Sequence, residues 1–96
     1  KDGVQGWVIH IDRYGNLITN ITEQLLEETA GRRKVRVYVG NTIIDHMVNT
    51  FGDVQPGEPV AFIGSSGMLE VGINKGNAAE MLGVDKGAQI SLVLQK

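Results

Sequence analysis

Residues 7–21 carry the pattern that most restricts the fold: on either side of a polar stretch, mostly large apolar side chains recur at every second position. Trp7, Ile9 and Ile11 occupy every second position, and the same period continues over residues 17–21. Because successive side chains of a strand point to opposite faces, this period of two predicts two strands, with Trp7, Ile9 and Ile11 sharing one face of the first. A chain with this pattern is expected to build a sheet rather than a helical bundle.

A polar turn, Asp12-Arg-Tyr-Gly-Asn16, joins the two predicted strands. Gly15 adopts positive φ at little cost and Asn16 tolerates the left-handed region, so we expect a turn or a bulge here. The turn brings a carboxylate, a guanidinium, a phenol and a side-chain amide within five residues. It is either a solvated hairpin tip or a ligand-binding loop, and its local pattern fits both.

Length and composition indicate one small globular domain. A chain of 96 residues buries roughly 60–65% of the surface that it exposes when unfolded, which is enough for one core. Thirteen glycines are about twice the usual share and indicate many turns and a β-rich fold. With 9 basic and 11 acidic residues, the chain has no overall positive field to attract nucleic acid or an anionic membrane.

The residue types exclude or disfavour several kinds of site. There is no cysteine, which excludes disulfides, thiolate metal sites and cysteine nucleophiles and is compatible with a reducing compartment. His10 and His46 lack the spacing of a metal motif, so we expect ordinary strand or loop histidines. We find no apolar run long enough to span a bilayer and no signal peptide pattern. Because the first residue is Lys1 rather than Met, we expect a processed or excised piece of something longer.

Short strands and two short helical segments account for the rest of the chain. Residues 22–29, which Asn20 or Thr22 can cap, are predicted to form one or two helical turns. Residues 77–82 are predicted to form a second short helix, which Asn77 caps and Gly83 ends. Alternating or continuous apolar runs predict further strands over residues 35–39, 42–44, 47–48, 60–63, 69–73 and 90–94. We therefore predict an all-β domain over residues 1–96, a small, mostly antiparallel β-barrel or sandwich with two short helices.

Other loops also contain possible ligand-binding residues. The amides and hydroxyls of Gly64-Ser-Ser-Gly67 can bind a carboxylate or a phosphate, although a plain hairpin explains the pattern equally well. This loop lacks the lysine and the following helix of a phosphate-binding P-loop. Phe51 is either an exposed stacking residue or a core side chain. The basic residues within 32–36 are more simply interpreted as a solvated hairpin tip than as a phosphate-binding patch.

Three segments, in order, resemble one known family. They are Ile11-Asp-Arg-Tyr-Gly-Asn-Leu-Ile-Thr-Asn-Ile21, Thr50-Phe-Gly-Asp-Val54, and Gly64-Ser-Ser-Gly-Met-Leu-Glu-Val-Gly-Ile-Asn74 followed by Asn77-Ala-Ala-Glu80. They are similar to the C-terminal domain of the S-adenosyl-L-methionine hydroxide adenosyltransferases, relatives of the fluorinase and chlorinase. The resemblance spans nearly the whole chain, and it rests on all three segments because a single such loop is common.

The resemblance implies a longer, two-domain enzyme in which residues 1–96 form the C-terminal, adenosyl-binding domain. Such an enzyme cleaves S-adenosyl-L-methionine (SAM) at C5′ with water or hydroxide, giving adenosine and L-methionine, with SAM as the substrate and no cofactor. It implies a cytoplasmic homotrimer whose ligand lies between this domain and the N-terminal domain of a neighbouring chain. Since the N-terminal domain supplies the ribose contacts and positions the water, we expect no catalytic residue and no metal ligand in this chain.

The resemblance also assigns binding roles to residues of this chain. Asp12 would hold the methionine ammonium, and Ser65 and Ser66 the methionine carboxylate, which suits the charges of both groups. Asn16 would hydrogen-bond the adenine edge. The remaining contacts would come from the backbone at three positions and from two aromatic side chains packed on the adenine ring: Ile73, Asn74, Lys75, Tyr14 and Phe51.

The chain departs from the halogenating relatives at two positions. Ser66 stands where they carry an arginine after the first serine of the loop, which removes a charge from the carboxylate site and argues against halogenase chemistry. The proline of their first turn is absent between Arg13 and Tyr14, so we expect this turn to have a geometry of its own.

Two other classes of function stay open at this point. A small β-barrel module could bind an oligonucleotide or a protein partner through the basic hairpin and Phe51. A purely structural oligomerisation domain would bind neither nucleic acid nor SAM. His10 and Asp12 lie on the same face of the predicted strand. We interpret this pairing as cross-face packing of side chains rather than as an acid–base pair.

Overall fold

Seven strands and two short helices form the described part of the chain, which comprises residues 3–31, 33–45, 47 and 54–95 of a computed structural model. In chain order they are β1 Gly3–Ile11, β2 Leu17–Thr22, α1 Glu23–Ala30, β3 Val35–Val39, β4 Thr42–Ile44, β5 Pro59–Ile63, β6 Met68–Ile73, α2 Ala78–Leu82 and β7 Gln89–Leu94. Phe51, His46 and the predicted strand residue Val48 lie outside the described residues.

The strands form one sheet in the order β4-β3-β7-β1-β2-β6-β5, and every neighbouring pair is antiparallel. An isolated parallel bridge between Met47 and Ala61 brings the chain beyond β4 to β5, the opposite edge of the sheet. The sheet is therefore nearly closed into a barrel, and the predicted all-β class is confirmed. Among the described residues, no helix has the length and apolar character needed to cross a membrane.

Aliphatic side chains from all seven strands fill the barrel interior. Full burial of one such side chain contributes about 1.5–3 kcal/mol, so this layer is the main stabilising feature of the domain. Each strand contributes at least one buried side chain, for example Val8, Leu17, Val37, Ile44, Ala61, Leu69 and Ile90.

The predicted shared face of Trp7, Ile9 and Ile11 is wrong because β1 contains a bulge. The pairing of β1 with β2 shifts register between Val8 and His10. Val8 is buried before the shift, and Ile11 packs against the core after it, whereas Trp7 and Ile9 are exposed. The extra residue of a bulge exchanges the inner and outer faces, so the period of two continues in the sequence but not in the structure.

Both helices begin at the predicted capping residues. Thr22 Oγ1 accepts a hydrogen bond from the Leu25 N–H at 3.0 Å, and Asn77 Oδ1 accepts one from the Glu80 N–H at 3.0 Å. Gly83 ends α2 in the left-handed conformation, as its position after the apolar run predicts. The observed helices differ from the predicted ones by one residue at most at each end.

A buried threonine compensates for an irregularity between β2 and β6. The register of this pair shifts between Ile18 and Thr22, which interrupts the ladder of backbone hydrogen bonds. Thr19 Oγ1 donates to the Leu69 carbonyl at 2.8 Å and accepts from the Ile21 N–H at 3.1 Å. The hydroxyl therefore satisfies backbone groups that the irregular ladder leaves unpaired, and the two strands stay joined beneath the predicted site.

Candidate functional site

The carboxylate of Asp12 organises the turn between β1 and β2. Its Oδ1 accepts hydrogen bonds from the backbone N–H groups of Tyr14 and Asn16, both at 2.9 Å. Its Oδ2 accepts a hydrogen bond from Asn16 Nδ2 at 3.1 Å. Because a carboxylate offers about four acceptor positions, these three bonds fix its orientation and leave capacity for a ligand.

The same turn packs closely against the start of α2. Gly15 has a φ of +86°, and a Cβ at this position would collide with the side chain of Asn77. The Gly15 carbonyl accepts a hydrogen bond from the Ala79 N–H at 3.0 Å. Glycine is therefore required here both for the turn and for the contact with the helix. Tyr14 projects from this turn and is largely exposed.

The turn between β5 and β6 places both predicted serines at the surface. The Gly67 N–H donates to the Gly64 carbonyl, and the Gly64 N–H donates to the Met68 carbonyl, both at 3.0 Å. Ser65 and Ser66 are exposed and make no hydrogen bond in the part of the chain that the structure describes. Their amides and hydroxyls are thus donors without a protein partner in that part of the chain, as an anion site requires.

The turn after β6 contains the other predicted backbone contacts. Asn74 Nδ2 donates to the Val54 carbonyl at 2.9 Å, and the Asn74 N–H donates to the Glu58 carbonyl at 3.0 Å. Lys75 has a φ of +58°, the one positive value among the described residues other than glycine. Ile73 is buried. Asn74 therefore secures the loop before β5 with its side-chain nitrogen, a structural role that its sequence context did not indicate.

The first of two groups of predicted site residues lies at the end of β6. Leu17 pairs with Val71, so the turn at residues 12–16 lies beside the end of β6 that leads into Asn74. The carboxylate and amide of that turn therefore share one end of the β2–β6 pair with Asn74.

The serine turn lies at the other end of β6. The Gly67 carbonyl accepts a hydrogen bond at 2.9 Å from the N–H of Glu23, the first residue after β2. At about 3.3 Å per strand residue, the four steps from Gly67 to Val71 cover about 13 Å. The two groups thus occupy opposite ends of one strip on the sheet, and the convergence of Asp12 and Ser65 on a single rim stays a prediction.

Glu70, to which the sequence pattern assigned no role, lies between these two groups. It pairs with Ile18 on β2 and with Phe62 on β5. Glu70 is only 9% exposed, and a Cβ on Gly64 would collide with its carboxylate, so the carboxylate reaches the base of the serine turn. No described residue donates a hydrogen bond to it. A carboxylate buried to this extent without a partner is uncommon.

Burial, and secondly the negative charge of Asp12, raise the pKa of the Glu70 carboxyl above its ordinary value. The two carboxylates therefore act on a common region of the surface. The sequence does contain a signal for this residue, because Glu70 is the single charged residue in the stretch 59–74. An isolated charge within a strand that is otherwise apolar makes Glu70 a candidate functional residue.

We expect the substitution Glu70→Gln to stabilise the fold at neutral pH. Above the raised folded pKa the wild-type carboxylate is ionised in an unfavourable environment, and the neutral amide removes that cost. As the pH falls through the folded pKa towards the ordinary value for glutamate, the wild-type protein becomes protonated and the advantage of the variant disappears. Urea denaturation of both proteins between about pH 4 and pH 8 measures this difference.

The matched control for this prediction is Glu27→Gln, because Glu27 is exposed on α1. This control should show no gain that depends on pH. A gain for Glu70→Gln that is the same at all pH values would contradict the assigned cause.

Other surfaces fit a binding function less well. Arg36 Nε lies 3.4 Å from Asp45 Oδ1, and Arg33 Nη2 donates to the Gln95 carbonyl at 3.5 Å, so two of the cations in the basic stretch 32–36 have protein partners. A cavity of about 290 Å³ between α1 and β3 contains none of the predicted site residues. Within the described ranges, no three His, Cys, Asp or Glu side chains are grouped closely enough to hold a metal ion.

The sequence matches a family model and several curated relatives. The model is described as the SAM hydroxide adenosyltransferase C-terminal domain, and it matches residues 6–91. A curated relative from Thermus thermophilus is 38% identical over 96% of this chain, and one from Salinispora tropica is 36% identical over 93%. Both are named (R)-S-adenosyl-L-methionine hydrolase. The chain spans about a third of their length, 33% and 32% respectively.

Two solved structures share the fold. An uncharacterized conserved protein from Thermotoga maritima gives a TM-score of 0.83 at 33% identity, over 97% of this chain and 36% of that chain. A conserved hypothetical protein from Thermus thermophilus gives a TM-score of 0.75 at 41% identity, over 95% of this chain and 35% of that chain. The similarity therefore extends from the sequence motifs to the arrangement of the whole domain.

Proposed function

Because this chain belongs to the SAM hydroxide adenosyltransferase family as its C-terminal domain, we propose that it binds the adenine and methionine ends of SAM within a SAM hydrolase. Water or hydroxide attacks C5′, the C5′–S bond breaks with its electron pair going to sulfur, and the products are adenosine and L-methionine. When water attacks, one proton is released. The enzyme, called the parent protein below, would contain an N-terminal domain in addition to residues 1–96.

The serine turn is proposed to bind the methionine carboxylate. Ser65 and Ser66 offer hydroxyl and amide donors, which suits an anion even without an arginine in the loop. Asp12 supplies a negative charge for the ammonium, held in place by its bonds to Tyr14 and Asn16. These residues bind and orient the substrate, and none of them is proposed to act on the reacting water.

The adenine end of SAM is proposed to lie near the turn at residues 12–16 and the end of β6. Asn16 already uses its side-chain nitrogen on Asp12, which leaves its oxygen to accept from the adenine amino group. The backbone near Ile73, Asn74 and Lys75 would complete the hydrogen bonds. The exposed ring of Tyr14 offers a surface for packing on the base, and Phe51 is proposed as a second one.

The observation that carries this proposal is the 38% identity to a protein named (R)-S-adenosyl-L-methionine hydrolase, because it spans 96% of the chain. The two turns beside β6 support it, since together they offer donors for an anion, a carboxylate for a cation and a side-chain amide for adenine. The alternative of an oligonucleotide-binding module is not favoured, because Arg33 and Arg36 already have protein partners.

The proposed assembly is a cytoplasmic homotrimer. The ligand would lie between this domain and the N-terminal domain of a neighbouring chain, which would cover the strip, supply the ribose contacts and position the water. Exposed polar groups at the ends of the strip, Ser65 and Ser66 at one end and Tyr14 at the other, are what such a shared site requires from one of its two halves. A cytoplasmic location is proposed because SAM, the proposed substrate, is a metabolite of the cell interior.

Incubating the parent protein with SAM in ¹⁸O-labelled water tests the proposed reaction. We expect adenosine and methionine in equal amounts, with one labelled oxygen at the 5′ position of adenosine. Adenosine without the label would rule out attack by water at C5′. Absence of adenosine, together with binding of single-stranded oligonucleotide that weakens steeply with salt, would favour the alternative module.

A further inference from the structure

The geometry of an α-amino acid sets a requirement for the site that binds it. The ammonium and carboxylate of methionine are attached to the same carbon, so the groups that bind them must lie within a few ångströms of each other. Ser65 and Ser66 precede β6, and the turn that contains Asp12 lies beside the other end of this strand. A carboxylate directly beside the serine turn would therefore place the ammonium next to the α-carboxylate that the turn holds.

Glu70 meets this requirement. Its carboxylate lies against Gly64, whose lack of a side chain leaves the space that the carboxylate occupies. Gly64 immediately precedes Ser65, so an ammonium on the Glu70 carboxylate would leave the attached α-carboxylate within reach of the serine turn.

The surroundings of Glu70 also indicate that its partner is a ligand. The side chain is 9% exposed, and no described residue donates a hydrogen bond to it or forms an ion pair with it. In the described part of the chain, every completely buried side-chain oxygen has a hydrogen-bond partner. Because the Glu70 oxygens have no such partner there, they must reach the surface. Its neighbours across the sheet, Ile18 and Phe62, carry no charge, and the next residue in that row is His10 on β1.

We propose that Glu70 binds the ammonium of the amino-acid end of SAM, beside the serine turn that holds its carboxylate. This assignment rests on the proposed function and adds a residue that selects substrates with an α-amino group. Asp12 contributes a second negative charge from the adjoining turn, and two carboxylates that act on one region attract a single cation more strongly than either alone. Occupation by an ammonium would also offset the charge repulsion between the two carboxylates.

Steady-state kinetics on the parent protein test the assignment with two substrates. One is SAM, and the other is the SAM analogue in which hydrogen replaces the α-amino group. Glu70→Gln is expected to raise the KM for SAM by about 10- to 100-fold and to change kcat by less than about threefold, because a charged hydrogen bond is lost in the ground state and transition state alike. The KM for the analogue should change by less than about twofold. Glu70→Asp should restore part of the affinity for SAM.

Glu27→Gln serves as the matched control and should leave both KM values unchanged, and thermal melts establish that each variant is folded. If Glu70→Gln raises the KM for SAM and for the analogue equally, or changes neither, Glu70 does not bind the ammonium. If the wild-type parent protein neither binds nor cleaves SAM, the proposed function itself fails. If it cleaves SAM normally but the Glu70 variants behave like wild type, only the assignment of Glu70 fails.

Discussion

Replacing Asp12 by alanine in the parent protein is expected to raise the KM for SAM by about 100-fold and to destabilise the first turn. Three hydrogen bonds converge on this carboxylate from Tyr14 and Asn16, and each bond to a charged group contributes about 1.5–3 kcal/mol in a folded protein. Alanine therefore removes the negative charge and also frees the turn that positions Asn16. Steady-state kinetics and urea denaturation measure the two effects separately.

Asp12→Asn separates the charge from the turn. Its side-chain oxygen can still accept from the Tyr14 and Asn16 N–H groups, whereas its nitrogen cannot accept from Asn16 Nδ2, so the loss of stability should be about 1–2 kcal/mol, smaller than in the alanine variant. The KM for SAM should nevertheless rise by about 10-fold or more, since the ammonium loses a charged partner. Asp85→Asn is the matched control, because Asp85 also accepts a local backbone bond, from Lys86, in an exposed turn. An unchanged KM in Asp12→Asn would remove Asp12 from the ammonium site.

Local features of this fold could be predicted because each depends on residues that lie only a few positions apart in the sequence. Thr22 and Asn77 cap the helices that follow them, and Gly83 ends the second, since capping depends on neighbouring backbone groups. Gly15 has the positive φ that its place in a turn indicated. The antiparallel class also followed from the sequence, because period-two alternation without long helices leaves few other architectures.

Features that depend on distant parts of the chain could not be predicted in the same way. The bulge in β1 moves Trp7 and Ile9 to the exposed face, and nothing in the alternation of residue types marks where the register shifts. The sequence context of Asn74 does not indicate that its side chain bonds to Val54, twenty residues away. The importance of Glu70 becomes visible only when Gly64 is seen to make room for its carboxylate.

The 96 residues by themselves are expected to hydrolyse SAM at a rate more than about 1,000-fold below that of the parent protein. Association costs several kcal/mol of translational and rotational freedom, and the adenine and methionine contacts must offset this without any ribose contact. Binding should therefore be weak. The proposed site of those contacts is the sheet face between the serine turn and the turn at residues 12–16, and Ser65, Ser66 and Tyr14 there are exposed.

Catalysis should be lost more completely than binding, because it depends on positioning. Attack at C5′ requires a water held in line with the C5′–S bond in a site closed to bulk solvent, and correct placement of reactants supplies a large part of the rate enhancement of enzymes. No side chain of this chain is proposed to hold that water. The test is to incubate the isolated chain and the parent protein, at equal concentrations, with SAM and to quantify adenosine by chromatography against a buffer blank. Sustained adenosine production by the isolated chain above that blank would place the chemistry in this domain and overturn the division of roles.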